Sequence, residues 1–275
     1  MASTGDRSGV NQKIRAVEDA AKRHHTLVMS LAPSFPAHFE EHLWPVLAGA
    51  VKSLGFSVVE PTTCVLPELI PQRAEALAED GGSAVHISRC CPRVLSLVQL
   101  EFPNLAGRIS PVLSPATYHA RYLREKMGEQ SFVVFAGPCP DKEVESRRPE
   151  NTGAPDLVLT FNDLAGWLSE TGAWDKALDA PFSHEPPAWT YLSLLVMDAD
   201  GMRPCRRMLQ RAGDLPPGYY ELLACHGGCL GGSGISPLIS LQERRERILK
   251  YAGTKHAEQP VGGVSARPLS RHYAP

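Results

Sequence analysis

Seven cysteines carry the most reactive chemistry in this 275-residue sequence: Cys64, Cys90, Cys91, Cys139, Cys205, Cys225 and Cys229. Two groups stand out, the adjacent pair Cys90-Cys91 and the spaced pair Cys225-x-x-x-Cys229. An adjacent pair closes on itself only as a strained disulfide. In a cytosolic chain, grouped cysteines bind metal or do redox chemistry more often than they crosslink. Both groups lie in turns punctuated by Gly and Pro, which points to a metal or cluster site, with buried structural thiols as the alternative. Four cysteines from separate loops suit a cubane iron–sulfur cluster, which takes four thiolates. The glycines of Ala224-Cys225-His226-Gly227-Gly228-Cys229-Leu230-Gly231-Gly232 let the backbone crowd a cofactor and aim amides at it. Zinc is the competing ion, but its sites usually show two close C-x-x-C knuckles, and here one close pair has another spacing.

The elements that position these loops alternate between strand and helix. Residues 1–24 are polar and read as a short leading helix. The run Thr26–Leu31 reads as a buried strand ending at Ala32-Pro33-Ser34. Phe39, Leu43, Val46, Leu47, Ala50, Val51 and Leu54 recur at helical spacing, with Gly55 as a stop. Strands follow at Ser57–Val59, Ala84–Ser88, Phe132–Ala136 and Asp156–Thr160, and helices at Pro71–Ala78, Val94–Phe102 and Leu113–Met127. Asn162 is a candidate cap for a helix over Asp163–Leu168. This alternation predicts an α/β fold of mostly parallel sheet flanked by helices. Pro33-Ser34, Cys90-Cys91 and Cys139 then each lie just past a strand's C-terminal end, where open α/β sheets bind ligands.

Composition narrows the classes further. Lys and Arg number 28 against 30 Asp and Glu, a net charge of −2, so neither nucleic acid nor an anionic membrane is an expected partner. Apolar residues make up 43% and charged ones 21%, a globular balance. No apolar run reaches the roughly 18 residues of a spanning helix, and the first residues, MASTGDRSGV, lack an apolar signal core. The sequence therefore reads as a cytoplasmic protein.

Three signatures in order make the sequence resemble the catalytic H-domain of the iron-only ([FeFe]) hydrogenases, from about Thr26 to Ala252. Ser88-Arg89-Cys90-Cys91-Pro92 is similar to the family's Thr-Ser-Cys-Cys-Pro. Gly137-Pro138-Cys139-Pro140-Asp141-Lys142-Glu143-Val144-Glu145 is similar to Met-Pro-Cys-x-x-Lys-x-x-Glu. Glu221-Leu222-Leu223-Ala224-Cys225-His226-Gly227-Gly228-Cys229 matches the third in its alanine, both cysteines and glycines. The resemblance implies two lobes with a cluster in the cleft between them, spanning 26–252, with an N-terminal extension (1–25) and a flexible tail (253–275). It implies that Cys91, Cys139, Cys225 and Cys229 hold a [4Fe–4S] cluster. Cys229 would also bridge to a diiron subcluster with CO, cyanide and azadithiolate ligands, together the H-cluster.

Other roles follow from the same resemblance. Cys90 would stay unligated and pass protons, and Lys142 would hold a cyanide by a charged hydrogen bond. Glu145, Ser110 and Glu68 match relay positions, Glu68 by the loosest alignment. Ala32, Pro33, Ser34, Gly137, Pro138 and Leu223 would line the cofactor. His226 would tune the cluster or serve the structure, and Cys64 and Cys205 read as ordinary thiols. Gly137 and Leu223 replace family methionines, Ala116 replaces a glutamine, and no ferredoxin-like C-x-x-C-x-x-C run occurs. An external electron carrier such as ferredoxin, or an iron–sulfur partner subunit, is therefore implied, as are maturation enzymes and an anaerobic hydrogen metabolism. The expected activity is reversible proton reduction to H₂. The alternative is a non-catalytic iron–sulfur protein, either a sensor or a cluster-assembly factor.

Overall fold

The stretch Leu27–Leu31 is buried at every position and forms β1, the inner strand on which the larger lobe is built. A strand covered on both faces needs apolar side chains on both, so it reads as a continuous run rather than an alternation. The computed structural model describes residues 7–23, 25–79, 81–177 and 180–258. Its other strands are β2 (Val58–Pro61), β3 (Val85–Ile87), β4 (Phe132–Gly137), β5 (Leu157–Thr160), β6 (Ala199–Asp200), β7 (Gly218–Tyr220) and β8 (Leu222–Leu223). The helices are α1 (Arg7–Lys22), α2 (Leu47–Ser53), α3 (Leu66–Glu79), α4 (Pro92–Glu101), α5 (Pro115–Met127), α6 (Lys142–Ser146), α7 (Phe161–Glu170), α8 (Trp189–Leu192), α9 (Met202–Gln210) and α10 (Leu241–Glu258).

The expected α/β class holds. One four-stranded sheet runs β2-β1-β4-β5, all parallel, and two short parallel pairs join β3 to β7 and β6 to β8. Each region has its own core. Met29, Leu31, Phe35, Val134, Leu159 and Phe161 belong to the larger one, and Ile87, Val94, Val98, Cys205, Leu209 and Leu222 to the smaller. Among the described residues, no helix is long and apolar enough to cross a membrane.

Three local readings need correction. The helix expected from Phe39 begins only at Leu47, after a 3-10 turn at Glu41–Leu43. Pro45 has no N–H to give to the preceding turn, so α-helix restarts beyond it. Thr160, not Asn162, caps α7: its hydroxyl accepts from Asp163 N at 3.1 Å, and Asp163 Oδ2 accepts from Thr160 N at 2.8 Å, a reciprocal capping box. Lastly, α10 continues past Ala252, where the sequence reading ends the domain. The rest of the expected tail, 259–275, lies outside the described residues, as do residues 1–6 of the extension.

Candidate active site

Four strand ends deliver the motif residues. β1 runs into Ala32-Pro33-Ser34, β3 into Ser88–Cys91, β4 into Pro138-Cys139, and β8 into Ala224-Cys225. Parallel neighbours within a sheet put their C-terminal ends on one edge, which is why segments distant in sequence can meet there. Ala32 N donates to Ala136 O at 2.8 Å, joining the β1 and β4 exits. Ala224 N points at Cys91 Sγ at 3.5 Å, joining the β3 and β8 exits.

The third motif closes against the second by glycine. Gly227 and Gly228 have φ of +79° and +63°, a left-handed turn between Cys225 and Cys229 that other residues rarely adopt. A Cβ on Gly232 would stand 2.4 Å from Pro138 O, so only glycine lets this loop lie on the Cys139 loop. Gly234 N then donates to Pro138 O at 2.8 Å.

These residues fit a four-iron cluster. Cys91 is the N-cap of α4, and amides of Ala224, Val94 and Arg93 bond its sulfur, the kind of contact that tunes a ligating thiolate. Cys139 feels the charge of Cys91, and Cys229 that of Cys90 and Cys91. Among the described residues, the one trio of metal-ligating side chains with donor atoms within 4.8 Å of one another is Glu60, Cys64 and His184, and no motif cysteine belongs to it. A single zinc ion, with Zn–S bonds of about 2.3 Å, would need its thiolates closer than that. Four irons taking one thiolate each suit the wider spacing. Ser34 Oγ is buried and without a hydrogen-bond partner, a polar atom left for something the protein itself does not supply. Burial pushes the Cys91 thiol up and the Cys139 thiol up to about 11, and the Cys90 thiol's hydrogen bond together with burial pushes Cys229 well up. Iron takes thiolates, so loading would release protons.

Cys90 stands at the junction of two networks. Its thiol lies in hydrogen-bonding reach of Cys229 and of Glu221. Ser88 Oγ donates to Glu221 Oε1 at 2.9 Å and accepts from Cys90 N at 3.1 Å. Arg73 Nη1 lies 3.7 Å from Glu221 Oε2. Burial nonetheless raises the Glu221 pKa, with Arg73 the largest opposing influence. Lys142 Nζ donates to Cys90 O at 2.9 Å and to Glu145 Oε2 at 2.6 Å. Burial pulls the Lys142 ammonium down, but Glu145, followed by Cys90, holds it above its ordinary value. Glu145 is itself buried and takes hydrogen bonds from Ser114 Oγ and, at 3.2 Å, Thr117 Oγ1.

The remaining named residues divide. Ala32, Gly137, Pro138 and Leu223 are buried around the strand exits, and Pro33 is half-buried. At Gly137 an added Cβ would meet Phe135 Cε1 at 2.6 Å, so the Phe135 ring fills the space a longer side chain would claim. Ser110 Oγ accepts from Val112 N at 3.2 Å and caps a buried turn. Glu68 is exposed on α3 and accepts from Tyr118 Oη at 2.9 Å; none of its hydrogen bonds joins it to Cys90 or Glu145. The His226 side chain is 85% exposed and pairs with Asp200 at 3.2 Å, a surface role rather than a cluster contact. Cys205 is buried and donates to Leu223 O at 3.4 Å, an ordinary thiol. Sequence reasoning passed over Glu221, although it opens the third motif. Its partners Arg73, Ser88 and Cys90 come from elsewhere in the chain.

Comparison with known proteins places this geometry in a family. The family described as "Iron only hydrogenase large subunit, C-terminal domain" matches residues 25–186, and the chain belongs to it. It is similar to the NADP-reducing hydrogenase subunit HndD of Solidesulfovibrio fructosivorans, 24% identical over 85% of this chain and 54% of that protein. It is also similar to the cytosolic Fe-S cluster assembly factor NAR1 of Vanderwaltozyma polyspora, 29% identical over 30% of this chain and 16% of that one. The chain thus spans about half the length of the first of these relatives and less of the second. A solved [FeFe]-hydrogenase, studied for oxygen inactivation at its H cluster 2Fe subcluster, shares the fold with a TM-score of 0.65. It is 16% identical, with 89% of this chain and 92% of that one covered.

Proposed function

We propose that this chain is a hydrogenase that interconverts protons and H₂ at an H-cluster held by Cys91, Cys139, Cys225 and Cys229. When bound, that group would supply the redox chemistry: electrons through its cubane and H₂ bond formation at its diiron part. The observation that carries the reading is Cys90 beside the half-buried Glu221 carboxyl, the two joined through Ser88 Oγ, with the Cys90 thiol turned toward the sulfur of Cys229. A spare thiol beside a ligand, backed by a carboxyl whose proton affinity is raised, is a proton-transfer arrangement. Glu221, whose proton affinity burial raises, is placed to pass a proton to Cys90, and Cys90 to present it at the Cys229 side. Lys142 keeps a positive charge next to both cysteines because Glu145 holds it there. Ser34 offers its unmatched hydroxyl to the bound group. The partners this reading requires are an external electron carrier, such as ferredoxin or an iron–sulfur subunit, and maturation enzymes.

The competing reading, an iron–sulfur protein that senses or assembles without turnover, draws on the 83-residue match to the assembly factor. It leaves the Glu221–Cys90 pair and the Lys142 charge without a task. Replacing Cys90 by alanine separates the two. The protein matured with the diiron cofactor should keep its iron while H₂ evolution falls by about 10²–10⁴-fold, the range of a positioned acid or base, and Cys90→Asp should recover part of it. Unchanged turnover would remove Cys90 from the path, and lost iron would make it a ligand.

A further inference from the structure

The edge of the main sheet farthest from β5 carries a second group of ligating side chains. Glu60, in β2, is 1% exposed, and its two oxygens have different surroundings. Oε1 accepts from Lys126 Nζ at 3.1 Å, whereas Oε2 is buried without a hydrogen-bond partner. His119 Nε2, 3.6 Å from Oε2, is also buried without one, while its Nδ1 is engaged with Ser30 Oγ at 2.8 Å. The two atoms face each other across this long contact, which leaves Oε2 lone pairs to give to a further partner.

The segment that crosses this edge brings further ligating groups to it. Ser183 N donates to Val59 O at 2.9 Å and its Oγ accepts from Val59 N at 3.1 Å, so the segment is tied to β2. The Cys64 thiol bonds His184 O at 3.6 Å, which fixes the same segment to the turn after β2. As a result a carboxylate oxygen of Glu60, the Cys64 sulfur and a His184 ring nitrogen all lie within 4.8 Å of one another. Around a tetrahedral zinc with bonds of about 2.0–2.3 Å, ligand atoms sit about 3.3–3.8 Å apart. Small side-chain rotations close that gap, and His184 is exposed and free to make them.

We propose that Glu60, Cys64 and His184 bind one zinc ion, with water in the fourth position on the exposed His184 side. One oxygen, one sulfur and one imidazole nitrogen form a donor set of the borderline softness zinc takes. The Cys64 proton leaves to solvent as the S–Zn bond forms, and thiolate and carboxylate together balance the dication. Lys126 keeps Oε1, and Oε2 turns to the metal with His119 behind it as an outer partner. The ion staples the 181–184 segment to the edge strand next to β1, whose exit carries Pro33 and Ser34. This site shares no residue with the cluster loops and does not depend on the function proposed for them.

The test uses the full chain with its [4Fe–4S] cluster reconstituted, so that iron occupies the motif cysteines. It is equilibrated with zinc chloride alone, desalted, and assayed for zinc and iron. About one zinc per chain should remain, and its X-ray absorption should show one sulfur at about 2.3 Å with nitrogen and oxygen at about 2.0–2.1 Å. Cys64→Ala and His184→Ala should each weaken zinc binding at least tenfold, given that outer-shell changes alone cost about 10–100-fold, with iron unchanged. The exposed His184 side chain makes its variant safe for folding, and an unchanged melting temperature without zinc confirms this. The proposal is overturned if the wild type retains no zinc, if His184→Ala binds zinc as the wild type does, or if the shell contains three or four sulfurs.

Discussion

Glu145, buried, and Glu221, half-buried, are two carboxyls beside Cys90, one reached through Lys142 and the other through Ser88, and their surroundings differ in one decisive respect. Glu145 meets the Lys142 ammonium at 2.6 Å and the hydroxyls of Ser114 and Thr117, so its oxygens accept from three donors, one of them a cation. Glu221 has Ser88 on one oxygen and Arg73 no nearer than 3.7 Å on the other, and burial raises its proton affinity. In the proposed function the first arrangement anchors a charge and the second would carry a proton. A site that moves protons past a fixed cation needs one of each, and the fold supplies them from different lobes: Glu145 from α6 after β4, Glu221 between β7 and β8.

The largest expected break in this contrast is at Glu145. Glu145→Gln leaves Lys142 buried without its counter-ion, a change that typically costs about 3–5 kcal/mol, and the loss is read as a lower urea midpoint or melting temperature. Glu221→Gln should leave stability near neutral pH little changed and iron content intact, while H₂ turnover falls by about 10²-fold or more. Equal destabilisation by the two variants would erase the distinction between anchor and carrier.

Glu221 also has a pH signature. Its pKa in the fold is raised above the 4.5 of an ordinary glutamate, so the folded chain binds the proton more tightly than the unfolded one. That contribution is present below pH 4.5 and is lost as pH rises through the folded pKa. Denaturant titrations of the apoprotein should show the downward slope, and Glu221→Gln should flatten it. A smaller effect belongs to Ser88→Ala, which removes the bonds to Glu221 and to Cys90 N. It should cost about 1 kcal/mol and lower turnover less than Glu221→Gln.

The same contrast explains what was readable in the sequence. The motifs that hold Cys91, Cys139, Cys225 and Cys229, the proposed cluster ligands, were legible because each is contiguous and rich in glycine or proline, and because a run such as Phe132–Ala136 ahead of Cys139 is local. Lys142 and Glu145 are three residues apart in a short helix, so their ion pair is also a local fact. Glu221, the proposed proton carrier, was not legible, because its partial burial and its contacts with Ser88 and Arg73 arise only when β3 pairs with β7. Glu68 and His226 show the opposite limit: their positions in sequence match a pattern, while exposure gives them the partners Tyr118 and Asp200. The shortened helix before Leu47 shows the same limit, since the apolar spacing from Phe39 onward runs unbroken across Pro45 in sequence while the backbone does not.

Infrared spectroscopy of the protein matured with the diiron cofactor tests whether these loops hold a catalytic H-cluster and not a cubane alone. Bands from terminal CO and cyanide should appear, and the cyanide bands should shift in Lys142→Met, because Lys142 would be their donor. A filled [4Fe–4S] site with no such bands would contradict the account.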